Sequence, residues 1–183
     1  MSPNPSDVQS KKLFEPANDE ELLRGWLLHA HKGRDRHDLA ARRNDTLRYW
    51  LGVPAIVLSA IVGTSVFASL NTQVDDSLKI ILGLVSITSA VLASLQTFYN
   101  FENRAESHRV AGVKYKAVIR ELEQVLTQPP DRLPDKDDYL RDLRNRLDDL
   151  EAEAPVVPER IYKVVETNYS SVIFAEKVAD LVQ

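Results

Sequence analysis

Residues 49–74 read YWLGVPAIVLSAIVGTSVFASLNTQV and residues 80–101 read IILGLVSITSAVLASLQTFYNF, and neither stretch contains a charged residue. At about 1.5 Å per helical residue these windows would span roughly 39 and 33 Å, whereas the hydrocarbon core of a bilayer is about 30 Å thick. Each window can therefore cross a membrane as one helix. The alternative, a pair of buried core helices, is hard to accommodate in so small a domain.

The connection between the two windows is short and net negative, with Asp75, Asp76 and Lys79 as its charged residues. It predicts a transmembrane hairpin over residues 49–101, with the first span at about 49–70 and the second at about 80–101. Basic residues instead flank the outer ends of the hairpin. They are Lys32, Arg34, Arg36, Arg42, Arg43 and Arg48 before it, and Arg104, Arg109, Lys114, Lys116 and Arg120 after it. The positive-inside rule then predicts two spans with both termini cytoplasmic.

The sequence before the hairpin divides into two parts. Residues 1–18 are rich in Pro, Ser and Asn without periodicity, which predicts a flexible tail. Residues 19–48 place apolar residues at helical spacing among arginines. This pattern predicts a cytoplasmic amphipathic segment, either as one helix or as a helix pair interrupted at Gly33.

Residues 102–183 are predicted to form a cytoplasmic helical region, so that the whole chain is all-α. The second window runs into residues 102–127 without a breaker at the junction, which predicts one long helix that ends before Pro129. Leucines then recur at three- and four-residue spacing, at Leu140, Leu143, Leu147 and Leu150. A final helix over residues 158–183 is predicted to bury Ile161, Val165, Tyr169, Val172 and Leu181.

Composition excludes several classes of function. The chain has no cysteine, so it can form neither a disulfide framework nor a thiolate active site. Its net charge of -4 gives no general case for binding nucleic acid. No phosphate-binding glycine loop, catalytic triad or paired-carboxylate motif is visible. We therefore expect no enzymatic activity, no cofactor, no metal site and no nucleic-acid partner.

The second window is two-sided when it is drawn as a helix. Its small and polar residues fall within an arc of roughly 160° at the helical period. The candidates on this face are Gly83, Ser86, Ser89, Ala90, Ser94, Gln96, Thr97 and Asn100. Such a face is either a helix-packing surface or the wall of a water-filled pore. In the first window Gly52, Ser59 and Gly63 are the candidates for close packing against it.

The exit from the second window carries the pattern FYxFxxRAxxHRxAGxKY at residues 98–115, followed by REL at residues 120–122. With the Tyr-Trp pair that enters the first window, this order resembles the SLATT family of two-transmembrane effector domains, which accompany nucleotide-signalling enzymes in bacterial conflict systems. Within this segment Tyr99, Arg104, His108 and Tyr115 are the candidate residues of the cytoplasmic interface.

The resemblance implies an inner-membrane effector of an antiphage system. Such a protein is expected to oligomerise and to form a pore or disrupt the membrane, causing cell death or growth arrest. The trigger would be a nucleotide second messenger or a separate sensor or signalling protein, and the other expected partners are the lipid bilayer and further copies of the chain. The alternative is a membrane anchor or scaffold that holds a cytosolic partner enzyme without forming a pore.

Overall fold

A computed structural model describes residues 16–69, 75–128 and 136–169 of the chain. In order, its helices are α1 (Asp19–Ser69), α2 (Asp76–Tyr99), α3 (Phe101–Leu126), α4 (Lys136–Glu153) and α5 (Glu159–Tyr169). Every regular element of these described ranges is an α-helix, so the predicted all-α class is confirmed. Residues 1–15 of the predicted tail (1–18), and the end of the predicted final helix with Val172 and Leu181, lie outside the described residues.

Helix α1 is one uninterrupted helix of 51 residues, which is about 77 Å long at the α-helical rise. Its start is fixed by a reciprocal cap, because Asn18 accepts a hydrogen bond from the Glu21 backbone at 2.9 Å and the Glu21 carboxylate accepts one from the Ala17 backbone at 2.7 Å. Of the two predicted arrangements the single helix is correct. Gly33 does not break it: a Cβ there would lie 2.6 Å from the Tyr115 ring of α3. This glycine therefore serves the close approach of two helices.

Helices α2 and α3 follow one another directly but are not one helix, contrary to the predicted continuation. Asn100 alone separates them, with φ 45° and ψ 52° in the left-handed region. Its N–H still donates to the Gln96 carbonyl at 3.1 Å and its carbonyl accepts from the Arg104 N–H at 3.2 Å. Asparagine tolerates this conformation better than other residues with a Cβ. The left-handed residue therefore separates two helices while preserving these backbone hydrogen bonds.

The first part of α1 packs with α3, α4 and α5 into a group of helices that we call the bundle. Leu122 of α3 and Leu143 of α4 are fully buried in its core, and Leu147 and Leu150 lie beside them as the leucine spacing predicts. Helix α5 lies on α1 through buried Ile161 and Val165. The remaining core positions are Leu23, Ala30, Tyr115, Val118 and Ile119.

Beyond the bundle, α1 and α2 present apolar side chains outward. Only 11% of the most apolar window of α1 and 6% of that of the second helix are buried. Ile56 is 71% exposed and Phe98 is 80% exposed. Buried core helices would show the opposite pattern, so burial disfavours a soluble domain. The chain has two helices that are long and apolar enough to span a membrane, as the charge-free windows predict.

The conformation of Asn100 leads to a test of its role. Asn100→Leu should lower the free energy of unfolding by about 1–2 kcal/mol, because its Cβ crowds the following carbonyl in the left-handed region and leucine has no side-chain acceptor for a local hydrogen bond. Asn100→Gly keeps that backbone conformation available and should cost less. Thermal unfolding of the full chain in detergent would compare the variants, and equal losses would show that the amide matters rather than the backbone.

Candidate functional site

The packing of α1 against α2 is centred on two serines. Ser89 is 5% exposed and donates its hydroxyl proton to the Ala55 carbonyl at 3.0 Å. A hydroxyl has one proton to give, so Ser59, whose Oγ lies 2.7 Å from that of Ser89, is the donor between the two serines. Hydrogen bonds of this kind hold membrane helices together where lipid supplies no hydrophobic force.

Gln96 takes part in the same packing nearer to the bundle. Its side-chain Nε2 donates to the Arg48 carbonyl of α1 at 3.3 Å. A Cβ on Gly52 would lie 2.4 Å from that nitrogen, so a larger residue here would require the Gln96 amide to move. Gly52 and Ser59 of the predicted close-packing set thus contact α2. At Gly63, by contrast, no described atom of a neighbouring element lies within 4 Å of the position that a Cβ would occupy.

The other candidates on α2 point away from α1. We call Gly83, Ser86, Ala90, Ser94 and Thr97 the outer stripe, and in the described chain none of them is buried. The Ser94 hydroxyl donates to the Ala90 carbonyl at 2.8 Å and the Thr97 hydroxyl to the Ala93 carbonyl at 3.1 Å. Both hydroxyl protons are therefore satisfied within α2 itself, whether the stripe faces lipid or protein. The predicted polar face divides into an α1-facing part, Ser89 and Gln96, and the outer stripe.

The junction of α2 with α3 is aromatic. The Tyr99 ring stacks on Phe101 at a centroid distance of 5.3 Å and meets Phe98 edge to face at 5.2 Å. Phe101 is 8% exposed and anchors the start of α3. Arg104 is exposed, and no ion pair joins it to another described residue. Amphipathic rings at this position are favoured where a membrane helix leaves the bilayer.

A buried pair of histidines joins α1 to α3 below this junction. The Nδ1 atoms of His37 and His108 are 2.9 Å apart, and the residues are 4% and 5% exposed. The Tyr115 ring stacks on His37 at 5.6 Å. Burial, with the nearby His108 and Arg36, lowers the pKa of His37 to about 4, and burial also lowers the pKa of His108. Both rings are neutral at pH 7, so one Nδ1 donates and the other accepts.

Sequence reasoning placed His108 at an interface but missed its partner. A signal for it exists, because Ala30, Gly33, His37 and Ala40 repeat at three- and four-residue spacing and all four are buried. Small residues at this spacing mark the side of a helix that a neighbour approaches closely.

Charged pairs join the same two helices. Arg48 meets Glu102 at 3.2 Å, Arg109 meets Asp45 at 3.0 Å, and Lys116 meets Asp38 at 3.0 Å. Exposed pairs such as these each contribute little to stability, because water and salt screen them. Together they fix the register of α1 against α3 next to the proposed membrane surface.

Helix α5 is held on α1 by a denser group of contacts. The Glu166 carboxylate bonds to Lys32 at 3.0 Å and also to Arg36, whose guanidinium lies 3.8 Å from the centre of the Tyr162 ring. Burial raises the pKa of Glu166, but the bonds from Lys32 and Arg36 outweigh it and lower that pKa overall. Tyr169 donates to Asp35 at 2.6 Å.

Within the described residues, no three His, Cys, Asp or Glu side chains are grouped as metal ligands would be.

Two apolar helices joined by hydroxyl and amide hydrogen bonds, continuing into a charged helical bundle, define a two-span helical membrane protein. Residues 23–171 match the SMODS and SLOG-associating 2TM effector domain family 4. The chain belongs to this SLATT family, as the exit segment of the second window suggested. No curated protein and no solved structure gives a significant match. The family is one of transmembrane effectors in conflict systems rather than of known catalytic folds.

The histidine pair predicts a pH dependence of stability. Because the folded pKa values of His37 and His108 lie below the ordinary histidine value of 6.5, the unfolded chain binds protons more readily than the folded one. The stabilisation should be complete above about pH 6.5 and should decline as the pH falls towards 4. Unfolding of the full chain in detergent from pH 7.5 to 4.5 would measure this decline. A double His37→Leu, His108→Leu variant should lose less stability over that range, and an unchanged pH dependence would contradict the assignment.

Proposed function

We propose that this chain assembles with further copies in the inner membrane and, on receiving a signal, forms a pore or disrupts the bilayer. The observation that carries the proposal is the outer stripe. Its residues are small or hydroxylated, they remain uncovered after α1 and α2 have packed, and they follow one line along a membrane helix. Lipid alone requires no such line, whereas helix association and pore walls both use it.

More than one copy is required because two helices cannot enclose an aqueous path. The packing of α1 with α2 already uses Ser89 and Gln96. The outer stripe is therefore available for contact with α1 or α2 of another copy, or for contact with water inside a ring of copies. Local hydrogen bonds of Ser94 and Thr97 are compatible with either environment.

We place the bundle and both termini on the cytoplasmic side. The helices of the bundle carry arginines and lysines immediately next to the spans, whereas the described charged residues at the other end of α2 are Asp75, Asp76 and Lys79. This asymmetry supports cytoplasmic termini under the positive-inside rule. The bundle would then be the part that receives a nucleotide or a partner protein, and α3 would transmit the signal since it joins α2 at Asn100.

The output that we propose is loss of the membrane barrier, followed by growth arrest or death of the infected cell. The support is the effector role of the family together with the outer stripe. A scaffold that holds a cytosolic enzyme would need the same two spans but would have no use for an uncovered stripe of small residues. A leakage measurement distinguishes these two functions, because only loss of the membrane barrier releases ions or dye.

Two threonines of α2 provide a matched test. Thr97 lies on the outer stripe and Thr88 lies on the opposite, lipid-facing side, and each hydroxyl bonds to the carbonyl four residues earlier. Thr97→Leu should weaken each contact that the outer stripe makes with a neighbouring copy by about 1–3 kcal/mol, because the larger side chain overpacks it. Depolarisation after induced expression should therefore fall in Thr97→Leu and stay near the parental level in Thr88→Leu.

Membrane insertion of both variants, checked by fractionation, is the control. Equal depolarisation by the two variants would argue against a role of the outer stripe in assembly or in the pore. If the parental chain passes neither ions nor dye from liposomes with any candidate messenger or partner, the scaffold function is favoured instead.

A further inference from the structure

Most described cations of the chain are paired with carboxylates, and a few are not. Lysines and arginines in the part of the bundle far from the spans, such as Lys32, Arg36 and Arg146, each meet a Glu or Asp. Among the described residues, those with no such partner are Arg42, Arg43, Arg104, Arg120 and Arg160. An arginine with five donors and no carboxylate partner among the described residues can donate to an outside anion.

Four of these arginines lie at the end of the bundle next to the spans. Arg43 precedes Tyr49 by six residues, or about 9 Å along α1. Arg104 follows Asn100 by four residues, or about 6 Å along α3. Arg160 is 59 residues beyond the second window in sequence, so only the fold brings it to this level. Arg120, in contrast, lies about 30 Å down α3 from Asn100.

Arg43 and Arg160 share a groove between α1 and α5. The groove has a volume of about 280 Å³, and its other lining residues are Leu39, Ile161 and Val164. Leu39 is 36% exposed and Val164 is 48% exposed, so the described chain leaves this apolar surface open. An apolar lining reduces hydration around the guanidinium groups and strengthens their attraction to an anion.

Two carboxylates of α5 are already engaged in other ion pairs. Glu159, at the start of α5, pairs with Lys163 at 2.6 Å. Glu166 is held by Lys32 and Arg36 on the far side of α5. Neither Arg43 nor Arg160 has a carboxylate within ion-pair distance among the described residues. The two guanidinium groups therefore place two positive charges in one groove with no carboxylate partner among the described residues.

We propose that Arg43 and Arg160 bind the phosphate of an anionic phospholipid from the leaflet next to the bundle. Guanidinium groups match phosphate oxygens with two parallel hydrogen bonds. Arginine side chains also extend along apolar surfaces with their charge directed to the headgroups. The lipid joins α5 to the membrane surface through Arg160 and to α1 through Arg43. The inference rests on the membrane assignment and is independent of pore formation.

The test uses the full chain in neutral detergent, titrated with phosphatidylglycerol or phosphatidylcholine and observed by native mass spectrometry. We expect a preference for phosphatidylglycerol that declines with salt. The double variant Arg43→Gln, Arg160→Gln should bind it about 25-fold more weakly, since each arginine at a membrane surface contributes about fivefold. The variant Arg43→Lys, Arg160→Lys keeps both charges and should retain most of the preference.

The matched control is Arg120→Gln with Arg144→Gln, which removes the same charge from exposed positions far from the groove. It should bind phosphatidylglycerol as the parental chain does. An equal loss in the two glutamine variants, or no preference between the two lipids, would overturn the proposal. Displacement of the lipid by an equal concentration of inorganic phosphate would also overturn it, because the site would then recognise a free anion. Leakage is measured on the same variants, so that a loss of lipid binding can be told apart from a loss of pore formation.

Discussion

The close approach of α1 to its neighbours along one line of small residues is the constraint on which the rest of the structure depends. Ala30 and Ala40 are fully buried against the bundle, and Gly33 leaves space for the Tyr115 ring. Further along the same helix Gly52 and Ala55 are approached by Gln96 and Ser89 of α2. A larger side chain at Gly33 would collide with the buried Tyr115 ring, and one at Gly52 would displace the Gln96 amide from its contact with α1.

The same line works in two environments for different reasons. In the bundle, small residues on α1 let large apolar residues of α3 and α4 close over them, and burial of Leu122 and Leu143 removes apolar surface from water. Next to lipid there is no such gain, so α1 and α2 are held by van der Waals contact and by hydrogen bonds from Ser59, Ser89 and Gln96. An uninterrupted α1 links both kinds of packing because a helix satisfies its own backbone groups, except at its two ends and at the Trp50 carbonyl, which receives no N–H from Pro54.

Charge and periodicity are enough to predict the features that depend only on whether a side chain prefers water or an apolar environment. The two charge-free windows give the spans, and the leucine spacing gives the buried side of α4. What sequence reasoning missed depends on contacts between elements. Gly33 was a candidate helix break because its use beside Tyr115 is visible only in three dimensions. The polar residues Gln96 and Asn100 looked alike in sequence, but one packs on Gly52 and the other takes the left-handed conformation that separates α2 from α3.

These two features together restrict how a movement of the bundle can reach the membrane. Helix α1 has no break between Asp19 and Ser69, so a displacement of its bundle part carries its membrane part along. The α2–α3 pair does have a break, at Asn100, where one left-handed residue is bridged by its backbone hydrogen bonds to Gln96 and Arg104. The α1–α2 contact closest to this break is that of Gln96 with Gly52 and Arg48, four residues before Asn100. Under the proposed function, a signal received by the bundle would reach the spans through the α1–α2 contact nearest to Asn100, which Gln96 makes, rather than through Ser59 and Ser89 deeper in the spans.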